Sequence, residues 1–123
     1  MIKRMAGATI WSEDLNNLLP FYRDTLGMKA NQQTPDFVLL GDAGGEDYNV
    51  AYLALGTHSE VKGKNADGPR HMVAVETDDV DAEFQRLKSA GVEFVEEPTN
   101  FDALRIATCK DPEGNYVQMI QFS

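Results

Sequence analysis

The stretch Pro69-Arg70-His71-Met72-Val73-Ala74-Val75-Glu76-Thr77-Asp78-Asp79 sets a histidine ahead of an apolar run that closes in acidic residues. An earlier stretch, Met5-Ala6-Gly7-Ala8-Thr9-Ile10-Trp11-Ser12-Glu13-Asp14, has the same shape. Gly7 stands seven residues before Asp14 and His71 seven before Asp78, and the pairs Asp14/Asp78 and Gly27/Gly91 are each 64 apart. A period of that length in a chain of 123 residues means two copies of one structural unit.

Each copy reads as a strand, a helix and three strands. In the first, Met5–Trp11 is extended, and Ser12-Glu13-Asp14 supplies a serine cap and an acidic first turn. Leu15, Leu18, Leu19, Tyr22 and Leu26 recur at helical spacing, and Gly27 ends the helix. Pro20 lies inside it, where it removes one backbone hydrogen bond and bends the early turns away from the rest. Extended segments follow at 29–32, 37–40 and 49–55, with an acidic, glycine-rich turn over 41–47. The second copy has a strand over 71–76, and then a helix opened by Thr77-Asp78-Asp79 with Val80, Phe84 and Leu87 on one face. Gly91 closes that helix, and strands near 93–96, 104–109 and 116–122 complete the copy. The fold class is therefore α+β, one domain over 1–123 made of two βαβββ modules, 5–56 and 70–123, joined by 57–69.

Composition narrows the function classes. Forty-two per cent hydrophobic and 25% charged residues describe an ordinary globular domain. A net charge of −9 repels phosphate backbones and anionic lipid, which argues against nucleic acid and membrane partners. Cys109 is the single cysteine, so no internal disulfide forms. Residues 1–11 are too short and interrupted for a signal peptide, and a cytoplasmic protein is expected. Neither a Ser-His-Asp nor a Cys-His nucleophile can be assembled from the spacing. The polar connection Gly56–Gly68 contains His58 and Glu60, and it reads either as a solvated linker or as a flap over a pocket mouth.

Phe21-Tyr22-Arg23-Asp24-Thr25-Leu26-Gly27, the stretch His71 to Asp79 with its helix, and the turn Asp111-Pro112-Glu113-Gly114-Asn115 together resemble the vicinal oxygen chelate superfamily. That superfamily contains glyoxalase I, bleomycin-resistance proteins, fosfomycin-resistance enzymes and extradiol dioxygenases. The resemblance implies a curved, cup-like mixed sheet with helices on the outside, completed in a homodimer. In metal-using members it also implies ligands from the first and last strands of each module. Carried over, these positions are Gly7 and His71 on the first strands, Gln118 four residues after Gly114, and Ala51 as its counterpart. Gly7 and Ala51 offer no donor, and the Gln118 amide brings no charge to offset stripping water from an ion. A catalytic zinc or two-His-one-carboxylate iron site needs three protein ligands, so no metal and no cofactor are expected.

Strand alternation then sorts the side chains. It groups Gly7, Thr9 and Trp11; Tyr48, Val50 and Tyr52; Arg105, Ala107 and Cys109; and Tyr116, Gln118 and Ile120, with His71 at the cavity wall beside inward Val73 and Val75. His71, Gln118, Trp11, Thr9, Tyr52, Arg105 and Tyr116 are the expected ligand contacts. For each of these the plainer reading is also open: a histidine at a strand start with no special task, or aromatics that are simply core. The leading expectation is a metal-independent binder of a small organic molecule, of the bleomycin-resistance type. The alternatives are a glyoxalase-like lyase, isomerase or dioxygenase, using an atypical metal or His71 as general base, and a purely structural dimer module.

Overall fold

Asp14 and Asp79 open the two helical segments in the same way, each from an extended backbone with its carboxylate accepting a hydrogen bond from a backbone N–H of the first turn. The computed structural model describes residues 1, 3, 5–41 and 51–122, the side chain of residue 32 excepted. The chain divides into two compact units, Met1–Gly63 and Lys64–Ser123.

In the first unit β1 (Gly7–Ser12) runs parallel to β4 (Tyr52–Thr57). β3 (Phe37–Leu40) pairs antiparallel with β4, and β2 (Ala30–Thr34) antiparallel with β3, giving the order β1-β4-β3-β2. One face carries Leu53, Leu55, Val38 and Leu40, all buried, with Leu15, Leu18 and Tyr22 from the helical segment buried as well. Each such side chain contributes about 1.5–3 kcal/mol relative to exposure. The start of the fourth strand as expected at 49–50, the turn residues 42–47, Tyr48 and Val50 all lie outside the described residues.

The helix of this unit is not the bent α-helix that the sequence suggests. It is a 3-10 turn, Leu15–Asn17, followed by a π-helical turn, Pro20–Thr25. Pro20 has no N–H for the carbonyl four residues back, so an α-helical ladder cannot cross it. The backbone tightens before the proline, with the Leu18 N–H donating to Leu15 O, and widens after it, with Leu26 N–H donating to Phe21 O. Ser12 is not the cap, because its hydroxyl turns onto the backbone of Asp14, both donating to its carbonyl and accepting from its N–H.

In the second unit β5 (Met72–Glu76) runs parallel to β8 (Tyr116–Phe122). β7 (Leu104–Lys110) pairs antiparallel with β8, and β6 (Phe94–Phe101), interrupted by register shifts, pairs antiparallel with β7. The helix α1 (Val80–Ser89) buries Val80, Phe84 and Leu87 as their spacing requires. Phe84 meets Phe94 edge to face at 4.7 Å, and the Gln121 side chain accepts from the Val80 N–H. Both units thus have the strand, helix, three-strand order of the expected α+β fold.

The repeat is offset by one residue from the one counted in the sequence. The caps are Asp14 and Asp79, which are 65 apart, and β1 and β5 begin at Gly7 and Met72, again 65 apart. Asp78 is not a cap. The structural counterpart of Gly7 is therefore Met72, and that of His71 is Ala6. Thr57 and Gln121, whose side chains accept from the first N–H of each helical segment, are 64 apart and make Ala54 rather than Ala51 the counterpart of Gln118.

Candidate functional site

Each sheet has one face closed by its helical segment and one face without a helix, and the residues on the second are fixed by register. In the first unit Gly7 pairs with Tyr52, Thr9 with Ala54 and Leu39, and Trp11 with Gly56 and Phe37. Paired residues point to the same side of a sheet, so Thr9, Trp11 and Tyr52 share the open face.

Glycine shapes that face at two positions. A Cβ at Gly7 would lie 2.3 Å from the Tyr52 carbonyl oxygen and 2.7 Å from its ring, so the tyrosine ring occupies the space of a side chain at position 7. A Cβ at Gly56 would lie 2.4 Å from the Trp11 ring, so the indole lies against the backbone of its cross-strand partner. Trp11 is 44% exposed and meets Phe37 at 6.2 Å between ring centroids. His58, from the connection, stands edge-on to the indole at 5.3 Å. The connection is neither a free linker nor a detached flap along this stretch. His58 N–H donates to Ser12 O, His58 Nδ1 accepts from the Glu60 N–H, and the Gly63 N–H donates to the Glu13 carboxylate.

In the second unit the open face carries Met72 with Tyr116 and Lys110, Ala74 with Gln118 and Thr108, and Glu76 with Ile120 and Ile106. Tyr116 and Gln118 therefore lie together, and the first-strand neighbour on their face is Met72, 44% exposed. His71 does not join them. It ends the 3-10 turn Gly68–Arg70 in extended conformation one residue before β5, and alternation sets it with Val73 and Val75 rather than with Gln118. The expected pairing of His71 with Gln118 at one wall is thus corrected by a one-residue shift, and with it goes the geometric basis for His71 as a general base there.

Arg105 is also corrected. It pairs in register with Gln121 on the helix side of the sheet, with Ala107 and Cys109 buried on the same side. Its guanidinium donates to both carboxylate oxygens of Asp81 on α1, at 2.7 and 2.9 Å, and to the Asn100 side chain. The Arg105 hydrogen bond holds the Asp81 carboxyl below the usual carboxylate range. Cys109 is buried, and desolvation, with the charge of Asp111 second, pushes its thiol up to about 11. That removes thiolate chemistry from this residue near neutral pH.

The strand positions that the resemblance assigns to metal ligands become Gly7 and Ala54 in the first unit and Met72 and Gln118 in the second. They hold no imidazole and no carboxylate. At Gly7 any side chain would collide with backbone. Among the described residues no group of three or more His, Cys, Asp or Glu is placed to hold a metal ion. A divalent ion of the oxygen- and nitrogen-preferring kind does not fit this set of side chains. Met72 and Gly56 are open-face residues that the sequence does not single out; a cap at Asp79, and so a spacing of 65, points to the first.

Comparison with known proteins agrees with the fold. A family model described as the Glyoxalase/Bleomycin resistance protein/Dioxygenase superfamily matches residues 4–119. Among curated relatives, the uncharacterised protein YwbC of Bacillus subtilis is 29% identical, with 98% of this chain and 99% of that protein covered. Among solved structures, TnmS3 of Streptomyces sp. CB03234, an antibiotic-binding protein, superposes with a TM-score of 0.75 at 24% identity, covering 99% of this chain and 98% of its own. The trypanothione-dependent glyoxalase I of Leishmania major gives a TM-score of 0.75 at 24% identity, with 98% and 87% covered. At these identities the two structures share the fold with this chain. No helix among the described residues is long and apolar enough to cross a membrane.

Proposed function

The chain belongs to the glyoxalase/bleomycin resistance protein/dioxygenase superfamily, and on that premise we propose that it binds a small organic molecule on its open sheet faces without a metal ion. The observation that carries the reading is the Gly7–Tyr52 pair. The position that resembles a first-strand ligand is filled by a neighbouring aromatic ring and has no room for a donor. Each face, taken by itself, offers its own contacts: Trp11, Thr9 and Tyr52 on that of the first unit, and Tyr116, Gln118 and Met72 on that of the second. Apolar and aromatic surface with a few amide and hydroxyl groups is the balance of a small-molecule site. The antibiotic-binding TnmS3, which shares the fold, supports a sequestering role. The reading also takes the protein to be cytoplasmic and a homodimer, the second of which sedimentation equilibrium checks.

The test is a ligand screen by NMR in the presence of EDTA, with metal analysis of protein purified without chelator. Saturable shifts at the Trp11 indole and at the Gln118 side-chain amide are expected with chelator present. One tight equivalent of Zn²⁺, Ni²⁺ or Mn²⁺ that Gln118→Ala abolishes would overturn the reading.

A further inference from the structure

The Trp11 end of the first unit is more specific than a general apolar face. The indole lies against Gly56, where no side chain fits, with Phe37 tilted beside it and His58 edge-on. Two backbone N–H groups hold the 58–63 stretch there, that of His58 donating to Ser12 O and that of Gly63 to the Glu13 carboxylate. The ring is thus fixed on several sides while 44% of the residue stays in solvent. Ordering a large aromatic and leaving it wet forgoes burial worth about 25 cal/mol per Å². The charged residues bordering this end are mostly acidic. Glu13 follows Ser12, Asp36 precedes Phe37 and gives its carbonyl to the Thr57 N–H, and Glu60 gives its N–H to His58, all three exposed, with Lys62 as the basic residue of that stretch. The chain as a whole carries −9.

We propose that Trp11, held by Gly56, Phe37 and His58, is a stacking platform for a flat aromatic cation. The proposal rests on the small-molecule reading above and narrows it to a ligand class. A rigid indole face gains from stacking and from the attraction between its π-cloud and a positive ring. Acidic side chains around it raise the local concentration of cations and repel anions. Gly56 is a positioning residue, because any side chain there displaces the indole.

Trp11 is the single tryptophan, so intrinsic fluorescence reports on the platform alone. The full chain is titrated with 9-aminoacridine, a flat cation, with acridine-9-carboxylate, a flat anion of the same ring system, and with spermidine, a cation without a ring. Calorimetry runs in parallel. Saturable quenching by 9-aminoacridine is expected, at least tenfold tighter than by the carboxylate, with no quenching by spermidine. Trp11→Leu and Gly56→Ala each weaken calorimetric binding of 9-aminoacridine at least tenfold, and Trp11→Tyr weakens it less. Circular dichroism establishes that each variant is folded. Equal affinity for cation and anion, unchanged binding in folded Trp11→Leu, or no saturable quenching at all would overturn the proposal. Shifts at Gln118 and Tyr116 with any screened ligand, in the absence of quenching, would leave the small-molecule reading standing and this one refuted.

Discussion

Met72 and Tyr116 are direct register partners across the parallel β5–β8 pair, so the side chain at 72, and not the histidine at 71, shares a face with Gln118. Side chains alternate along a strand, and a shift of one residue exchanges the open face for the covered one. The chemistry of the second unit's open face follows from that single step. A thioether, a phenol and a carboxamide stand there in place of the imidazole expected from a count based on Asp78.

The same step predicts which aspartate matters to α1. Asp79 accepts from the Ala82 N–H at 3.0 Å, whereas Asp78 is exposed and outside the cap. Asp79→Ala is expected to lower stability by about 1 kcal/mol and Asp78→Ala by less than about 0.5 kcal/mol, measured by urea unfolding. Equal losses would show that the helix begins one residue earlier.

Arg105 answers to the helix, not to a ligand. Arg105→Gln should leave the affinity of any ligand recovered in the screen unchanged within a factor of two, while thermal unfolding shifts slightly downward. Its partner Asp81 has a depressed pKa, so the pair's contribution is present above about pH 4, the ordinary carboxylate range, and is lost as pH falls below it. A tenfold loss of affinity in Arg105→Gln would return the residue to the site.

The Cys109 thiol, pushed up to about 11 by burial, should be almost unreactive towards iodoacetamide at pH 8 in the folded protein and react fully in urea. The sign of the linkage is set by the raised value. The stabilising effect is complete below the unfolded thiol's range near 9 and is lost as pH rises through about 11. A Cys109→Ala variant should therefore lose less stability than the parent between those pH values, read from urea midpoints. Rapid labelling of native protein would contradict the burial.

At the turn between β7 and β8, Gly114 has φ of +86°, and a Cβ there would lie 2.7 Å from the Asn65 carbonyl oxygen. Gly114→Ala combines backbone strain with a clash against main chain and should cost about 1–3 kcal/mol. Gly63→Ala, also at positive φ but with open space around it, should cost less. Urea unfolding of the two variants gives the comparison, and equal losses would mean that the Asn65 contact does not constrain the turn.

Much of this molecule could be read from its residues. The pattern of apolar spacing, the paired glycines 27 and 91 at positive φ, and the turn Asp111–Asn115 determine two repeated units, because helix and strand periods are local properties of the chain. The Asp111 carboxylate that binds the Glu113 and Asn115 N–H groups is likewise local chemistry, visible in "DPEGN". The faces were not legible. Two adjacent aspartates at 78 and 79 compete equally on paper to cap α1, and only the packing of Val80, Phe84 and Leu87 against the sheet chooses Asp79. Similarly, a helix broken at Pro20 into 3-10 and π turns depends on which carbonyls remain free to accept once the core side chains are buried. Whether Gly7 and Gly56 leave space open or hold an aromatic ring depends on the residue across the strand pair, Tyr52 or Trp11, more than forty positions away. Sequence determined the units and their order; tertiary register decided which side chains share the open faces, because one residue of shift reverses the face.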